Sequence, residues 1–349
     1  MREFEGAVTW EEDGLHLIDQ TALPDEVRVL HVDTVAGLLD AISRLAVRGA
    51  PALGAVGALG VVVALDEAAR EGWDARRLDE AIDAIRSARP TAVNLAWGVD
   101  QVAPLARQGR DVALDRALAI VDDDRRGNHA MGRLGADWLA ARLGERPLRL
   151  LTHCNAGSLA TTGWGTALGV VRELAARGLV DHVLVDETRP LLQGSRLTAW
   201  ELAEAGIEHV VIPDGAAAGL ILGRKVDAVV IGADRIAANG DTANKVGSAG
   251  LALASDAAGI PFVVAAPETT IDAATPTGDG IEIEERDERE VLSFAGRRVA
   301  PATSRGLNPA FDVTPARLVT VIVTDRRVIR VADGERPGDV QRGIGRDSG

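Results

Sequence analysis

The feature that most constrains the fold is a nearly continuous apolar, β-branched run that ends just before an acidic residue. Residues 226–247 read VDAVVIGADRIAANGDTANKVG, and Val229, Val230 and Ile231 close the apolar part. Such a run is typical of a parallel strand that is covered on both faces. Asp234 follows just past the carboxyl end of this strand. Because ligands bind at that edge in an open α/β sheet, the segment predicts a functional acid there.

The same segment contains a lysine, Lys245, shortly after Asp234. Of the 38 Lys and Arg residues in the chain, only Lys225 and Lys245 are lysines. A lysine at position 245, against such a strong preference for arginine, indicates a need for a compact ammonium group. We therefore expect Lys245 to bind a ligand.

The charge balance limits the partners of the chain. A formal net charge of -14 at pH 7 disfavours binding to nucleic acid or to acidic membranes, which normally requires a basic face. The amino-terminal residues have no basic-then-apolar signal, and no apolar run is expected to reach the length of a membrane span. The single cysteine, Cys154, excludes an intramolecular disulfide and suits a reducing compartment. We expect a cytoplasmic protein that binds neither nucleic acid nor membrane.

The order of the predicted elements divides the 349 residues into two domains and a tail. Residues 1–144 combine helical spacing with short alternations, which predicts a mainly helical domain with a small antiparallel sheet. Residues 145–333 alternate strands with helices, which predicts a Rossmann-like, doubly wound parallel sheet and so an α/β fold. The acidic, irregular stretch 278–299 is predicted to form an excursion near the site. The tail, 334–349, is rich in Gly, Arg and Asp and is predicted to be frayed.

Six strands are predicted in the second domain. They are Leu148 to Thr152, Val183 to Val185, His209 to Ile212, Val226 to Ile231, Phe262 to Ala265 and Leu318 to Thr324.

A second strand-to-helix segment carries Cys154. Its strand, 148–152, is followed by THCNAGS, which is expected to turn directly into an amphipathic helix. Cys154 would then lie beside a helix amino terminus, where backbone N–H groups and the helix dipole favour anions. A buried structural cysteine is the alternative, because free cysteines are usually structural. His153 is not an obvious partner, since successive strand side chains point to opposite faces.

Three further segments contain candidate binding residues. Residues 48–54 read RGAPALG, and such a turn of small residues lets backbone amides approach a phosphate while Arg48 neutralises it. A tight helix-packing site explains the pattern nearly as well. Arg89 offers another cation, and Gln193 follows a later strand in a polar stretch. A dinucleotide site at residues 163–165 is disfavoured, because these glycines lie several residues past the strand.

Together, six segments resemble the methylthioribose-1-phosphate isomerases of methionine salvage in their order and spacing. The segments are RGAPALG, RPTAVNLAWG, THCNAGSLAT, DETRPLLQGSRLTAWEL, GADRIAANGDTANKVG and NPAFDVTP. The resemblance extends over about residues 8–325. These enzymes belong to the family that also contains the regulatory subunits of translation initiation factor 2B. The resemblance implies an aldose-ketose isomerase that acts on a small sugar phosphate as a homodimer.

The resemblance also implies roles for individual residues. Cys154 and Asp234 would be the catalytic pair. Seven residues would hold the substrate: Arg48, Gly49, Ala50, Arg89, Gln193, Asn244 and Lys245. No metal-ligand cluster is evident in the sequence, so neither a metal nor another cofactor is expected.

The implied reaction converts 5-methylthioribose 1-phosphate to 5-methylthioribulose 1-phosphate. Because the anomeric oxygen carries the phosphate, an acid must protonate the ring oxygen as the C–O bond breaks. Asp234 is the expected acid, and a pocket of apolar strands would raise its pKa by desolvation. Cys154 would act as a thiolate base in a cis-enediolate route or support a hydride shift, and the sequence does not decide between the two.

Two departures from the family pattern leave the C5 substituent of the sugar open. Gly247 is followed by Ser248 where relatives commonly have a larger residue, and residues 94–97 read NLAW instead of an NLFW-like segment. The expected wall around C5 is small and apolar, formed by Ala96, Trp97 and Ala249. The alternative substrates are 5-deoxyribose 1-phosphate and ribose 1,5-bisphosphate. A non-catalytic sensing subunit, like those of the initiation factor, is the alternative from another functional class.

Overall fold

A small antiparallel sheet begins the chain. In the computed structural model, which describes residues 6–12, 14–89 and 93–339, its strands are β1 Val8–Glu11, β2 Gly14–Ile18 and β3 Val29–Val32. β2 lies in the middle and pairs antiparallel with both neighbours. Leu15 and Leu17 of β2 are fully buried, at the two-residue spacing of a strand with one buried face. The predicted amino-terminal sheet is confirmed.

Helices form most of the remaining first part. They are α1 Val35–Ser43, α2 Ala50–Glu71, α3 Ala75–Ser87, α4 Val93–Val102 and α5 Arg110–Leu143. Thr34 caps α1 by accepting the Gly37 N–H on its hydroxyl at 3.2 Å, and Asp74 caps α3 in the same manner. The mainly helical character predicted for this part is confirmed.

α2 is the central helix of the first part. Residues 52–64 are all buried, and the helix packs against α3, α4 and α5. Gly98 of α4 allows the closest approach, because a Cβ atom there would lie 1.9 Å from the carbonyl oxygen of Gly54. By length and composition α2 could span a membrane, so the sequence-based expectation that no run is long enough was wrong. Since 72% of its most apolar window is buried inside the protein, the core accounts for this composition.

The second part contains the remaining strands. They are β4 Leu148–Thr152, β5 Val180–Asp186, β6 His209–Ile212, β7 Ala228–Ile231, β8 Arg235–Ala237, β9 Thr242–Lys245, β10 Phe262–Ala265, β11 Ile271–Asp272, β12 Ser293–Phe294, β13 Arg297–Arg298, β14 Phe311–Thr314, β15 Val321–Val323 and β16 Val328–Ile329. Seven of them form one sheet in the order β16-β15-β10-β7-β4-β5-β6. All neighbours in this sheet are parallel except β15 and β16.

The order of this sheet reverses between β4 and β7. From β4 the chain moves outward to β5 and β6, and from β7 it moves the other way to β10 and β15. Such a reversal opens a crevice at the carboxyl ends of the two central strands, and ligands of doubly wound sheets bind there. Cys154 follows β4 by two residues, and Asp234 follows β7 by three. The two predicted catalytic residues therefore flank the switch point of the predicted α/β sheet.

Helices cover both faces of the sheet. They are α6 Ala167–Ala176, α7 Ala199–Glu204, α8 Ala217–Leu222 and α9 Ser248–Ala258. The one-turn α10 Arg289–Leu292 lies instead in the acidic stretch 278–299. α5 belongs to both parts of the chain, because Met131 and Leu139 in its second half are buried in one core with β4 and α6. The predicted division near residue 144 thus falls at the end of a helix that packs on both sides of it.

A second, smaller sheet in the order β11-β8-β9-β14 lies past the end of β7. β8 begins directly after Asp234, and β9 returns antiparallel to it and ends at Lys245. β14 pairs with the other edge of β9, so that Phe311 lies opposite Lys245. The hairpin of β8 and β9 thus places Lys245 close to Asp234, although other residues separate the two in the sequence.

The last residues described are not frayed, which corrects the prediction for 334–339. Residues 337–339 form a 3₁₀ turn, and the Gly338 N–H donates to the Ala238 carbonyl oxygen at 3.0 Å. Arg327 donates to the carbonyl oxygen of Pro337, whose ring is buried. These contacts offset the entropy of ordering a polar segment. The rest of the predicted tail, 340–349, lies outside the described residues.

Candidate active site

Asp234 lies at the centre of the crevice. Its N–H donates to the Ala243 carbonyl oxygen at 2.9 Å, which fixes the backbone against β9. Burial raises the pKa of Asp234 above its ordinary value, and the negative charge of Glu284 acts in the same direction. Lys245, Arg89 and Arg48 lie close enough to oppose this shift with their positive charges. Desolvation is the larger effect, so the carboxyl group keeps its proton to higher pH than an exposed aspartate.

Lys245 is buried, with 8% of its surface exposed. Its Nζ donates to the Ala310 carbonyl oxygen at 2.8 Å and lies 4.8 Å from the ring centroid of Phe311. Burial lowers the pKa of Lys245, whereas the charges of Cys154 and Asp234 raise it. Asn244, the preceding residue, donates through its side-chain amide to the Ser248 hydroxyl at 2.9 Å. The ammonium group is thus held close to both predicted catalytic residues.

Cys154 occupies a constrained backbone position. Its φ of +62° is in the left-handed region, and its N–H donates to the Thr188 hydroxyl at 2.9 Å. The Thr198 hydroxyl donates to its carbonyl oxygen at 2.6 Å. Two threonines from neighbouring segments therefore hold the half-buried cysteine in the crevice.

The helix expected directly after Cys154 begins later than predicted. Residues 158–160 form only a 3₁₀ turn, and the α-helix starts at Ala167. Instead of a helix dipole, the buried carboxylate of Glu201 stabilises this loop by accepting the N–H groups of Ser158 and Leu159 at 2.7 and 3.2 Å. Glu201 also accepts from the side chain of Asn155 at 2.8 Å, and Arg172 neutralises it at 3.1 Å. Glu201 was not among the residues predicted from the sequence, although an acid in the apolar segment LTAWEL was a possible signal.

Arg48 joins the two parts of the chain at the site. Its Nη1 donates to the Asn155 carbonyl oxygen at 3.0 Å, and Nη2 donates to the Asn155 side-chain oxygen. Gly49 follows with φ +97°, and a Cβ atom there would lie 2.5 Å from the Ala160 carbonyl oxygen. Only glycine fits this close approach. α2 begins at Ala50, so its unpaired amino-terminal N–H groups start at the crevice.

Two adjoining cavities contain most of the predicted site residues. Gly49, Ala50 and Asp234 line both cavities. Arg89 lines the first, and the second is lined by Arg48, Cys154 and Asn244. Gln193 instead lines a third cavity of about 310 Å³, which it shares with Arg48, Arg196 and Arg286. Its buried side-chain oxygen has no hydrogen-bond partner among the residues that the structure describes. The structure therefore brings the predicted residues together, with Gln193 on the far side of Arg48.

His153 lines the same cavity as Cys154, but its ring nitrogens bond to other groups. Its Nε2 donates to the Val246 carbonyl oxygen at 2.9 Å, and its Nδ1 lies 2.9 Å from the carboxylate of Asp186. Both side chains are buried. His153, Asp186 and Asp214 are close enough to bind a metal ion, but both ring nitrogens are already engaged and Asp214 accepts from two backbone N–H groups. The hydrogen bonds of His153 therefore connect the end of β4 to the segment that follows Lys245.

Known proteins resemble this chain over most of its length. The sequence profile of the initiation factor 2 subunit family matches residues 46–330. A methylthioribose-1-phosphate isomerase of Azotobacter vinelandii is 48% identical over 338 residues, which is 95% of this chain and 92% of that protein. A probable bifunctional methylthioribose-1-phosphate isomerase/methylthioribulose-1-phosphate dehydratase of Nocardia farcinica is 50% identical over 96% of this chain. The match spans only 61% of that longer relative.

Two solved structures have the same fold over nearly the whole chain. The 5-methylthioribose 1-phosphate isomerase of Pyrococcus horikoshii OT3 aligns with a TM-score of 0.85 and 37% identity, over 98% of this chain and 95% of that one. A structure described as translation initiation factor eIF-2B, subunit delta, from A. fulgidus aligns with a TM-score of 0.82 and 41% identity, over 94% and 96%. The chain is therefore a member of the initiation factor 2 subunit family.

Proposed function

We propose that this chain is an aldose-ketose isomerase that converts 5-methylthioribose 1-phosphate to 5-methylthioribulose 1-phosphate in methionine salvage. The observation that carries the proposal is that Asp234 and Cys154 line one cavity at the switch point of the sheet. Arg48 lines the same cavity, and Lys245 lies close to both residues. An acid, a thiol and cations in one crevice are the groups that this reaction needs.

Asp234 is the acid of the ring-opening step. The substrate has no free anomeric hydroxyl, so the ring oxygen must gain a proton as its bond to C1 breaks. A carboxyl group whose pKa is raised by burial keeps this proton to higher pH than an exposed carboxyl group does. Ring opening leaves C1 as an oxocarbenium ion that still carries the phosphate oxygen. Hydrogen then moves from C2 to C1 and the C2 hydroxyl loses its proton, so that C2 becomes the ketone and the phosphate ester stays on C1.

Cys154 is the second catalytic residue. Its side chain lines the same cavity as that of Asp234, and the ammonium group of Lys245 lies close to it. A thiolate would remove the proton from C2 in an enediolate route, or it would stabilise the site during a direct hydride shift. Both routes give the same ketose.

The phosphate is bound by cations and by backbone amides. Arg48, Arg89 and Lys245 supply positive charge, and the N–H groups at the start of α2 supply hydrogen bonds. A local group of cations also explains how a chain with a net charge of -14 binds a dianion.

A sensing subunit is the competing function, because one structural relative is described as an initiation factor subunit. Cys154 and Asp234 argue against it. A sensor has no chemical need for an acid of raised pKa and a thiol in one cavity, whereas an isomerase needs both.

Substrate choice tests the proposal. We expect kcat/KM for 5-methylthioribose 1-phosphate to be at least about tenfold above that for ribose 1,5-bisphosphate, a difference of about 1.4 kcal/mol. A methylthio group suits an apolar wall such as Trp97, which lines an adjacent cavity. A second phosphate would need free cations, since burying an unpaired dianion is very costly.

This expectation assumes that the site has no second cluster of cations. The third cavity corrects that assumption, because it contains a second group of arginines that the sequence did not reveal. Among these arginines, Arg44 already pairs with Asp19. Steady-state kinetics on both sugars, measured side by side, determines which of them is the preferred substrate. 5-Deoxyribose 1-phosphate is the comparison that has no charge at C5. Equal or reversed preference would transfer the substrate assignment to the bisphosphate.

We also propose that the protein is a cytoplasmic homodimer. β6 lies at an edge of the large sheet, and Val210 and Val211 on this strand are 48% and 42% exposed. Leu222 of α8 and Leu253 of α9 are also more than half exposed. Exposed apolar groups at a sheet edge are commonly covered in an assembly. Light scattering at micromolar concentration is expected to give the mass of two chains, and a monomer alone would contradict the proposal.

A further inference from the structure

The acidic excursion contributes side chains to two cavities of the site. Ile281 and Glu282 line the cavity that contains Asp234 and Arg89. Arg286 and Glu290 line the cavity that contains Arg48 and Gln193. A segment that the sequence marks only as acidic thus brings an arginine beside the predicted substrate-binding residues.

Arg286 is held in a defined orientation. Its Nη2 and Nε donate to the two carboxylate oxygens of Glu290 at 2.6 and 3.1 Å, and its Nη1 donates to Glu284 at 3.1 Å. Its backbone N–H donates to the Asn308 carbonyl oxygen, and the Asn308 side chain donates to Glu290. The side chain is 22% exposed and lies close enough to Lys245 to lower the pKa of that residue. The guanidinium group is therefore pre-oriented at the edge of the cation cluster.

Glu284 is shared between two cations. Besides Arg286, it pairs with Arg89 at 3.6 Å, a longer contact than a hydrogen bond. One carboxylate thus compensates two guanidinium groups, of which Arg89 is a predicted substrate-binding residue. A phosphate dianion between the same two groups would offer more charge and more acceptor oxygens than this carboxylate does.

We propose that Arg286 is a further phosphate-binding residue and that Glu284 occupies the position of the phosphate until the substrate arrives. Substrate binding then exchanges the Glu284 carboxylate for phosphate oxygens on Arg286 and Arg89, while Glu290 continues to hold Arg286. The nature of the phosphate ester rests on the proposed function. Binding of inorganic phosphate at this position does not depend on it.

Isothermal titration calorimetry with inorganic phosphate at low salt tests the exchange. Arg286→Gln is expected to raise the Kd for phosphate by about tenfold or more, because it removes a charge-assisted donor. Arg289→Gln is the matched control, since Arg289 belongs to the same segment, is 81% exposed and pairs only with Asp287 among the described acids. Its Kd is expected to stay within about twofold of wild type.

Glu284→Gln keeps the proposal testable if Arg286→Gln fails to fold. Removing the competing carboxylate is expected to lower the Kd for phosphate several-fold, a gain that misfolding cannot produce. Unchanged binding in Arg286→Gln, weaker binding in Glu284→Gln, or no phosphate binding by the wild-type protein would overturn the proposal. Phosphate binding with these variant effects, but without turnover of any pentose 1-phosphate, would instead reject the isomerase function and leave the anion site intact.

Discussion

Replacing Asp234 with asparagine is expected to reduce kcat by roughly 10²–10⁴-fold while substrate still binds, because the amide keeps the shape of the side chain and removes its proton. Asp234 is half-buried, and desolvation raises the pKa of its carboxyl group, as a general acid requires. Steady-state kinetics of the variant, together with a binding titration, measures both quantities. The expected combination is a near-normal Kd with very slow turnover.

Asp279→Asn provides the matched control for this variant. This variant makes the same chemical change at an exposed position of the acidic excursion. It is therefore expected to have wild-type kinetics. If Asp234→Asn retained more than about a tenth of wild-type kcat, the residue would not be the acid, since general acid catalysis contributes more than that.

Replacing Cys154 with alanine is expected to give a folded protein with almost no activity. The residue is held through its backbone by Thr188 and Thr198, and these hydrogen bonds survive the loss of the thiol. The thiol itself is only half-buried, so its removal creates little cavity in the core. A thermal melt and steady-state kinetics of the same preparation separate stability from activity.

The opposite pattern would identify Cys154 as a packing residue. In that case Cys154→Ala would melt several degrees lower and retain normal kinetics. Because Cys154 is the only cysteine, alkylation of the wild-type protein is a second measurement of its role. Stoichiometric modification is expected to abolish turnover, and bound substrate is expected to slow the modification.

Much of the fold could be predicted because local patterns determine it. The strands 148–152, 209–212 and 262–265 have the predicted bounds, since buried parallel strands are continuous apolar runs. The predicted strand 226–231 begins two residues late, because Asp227 binds Arg146 and Arg149 instead of continuing the apolar run. The helix expected after Cys154 starts only at Ala167, because Gly163, Trp164 and Gly165 have positive φ values that a right-handed helix does not accommodate.

The site was harder to predict where its contacts join distant segments. The position of Asp234 and Cys154 at the crevice could be predicted because each follows an apolar strand. The hairpin that returns Lys245 to Asp234 consists of strands of only three and four residues, which carry little periodicity. Arg286 lies in an acidic, irregular stretch, and only the fold brings it to the cavity of Arg48. Non-local pairing of this kind leaves no spacing signal in a single sequence.

The most direct test of the central claim is carbon NMR of the purified protein incubated with 5-methylthioribose 1-phosphate. We expect the anomeric C1 signal of the sugar phosphate to disappear as a ketone signal at C2 and a phosphorylated methylene signal at C1 appear together. The Asp234→Asn and Cys154→Ala proteins, at the same concentration, are expected to leave the substrate spectrum unchanged over the same time. An unchanged spectrum with the wild-type protein, under conditions where the sugar phosphate is bound, would contradict the isomerase function and favour a sensing role.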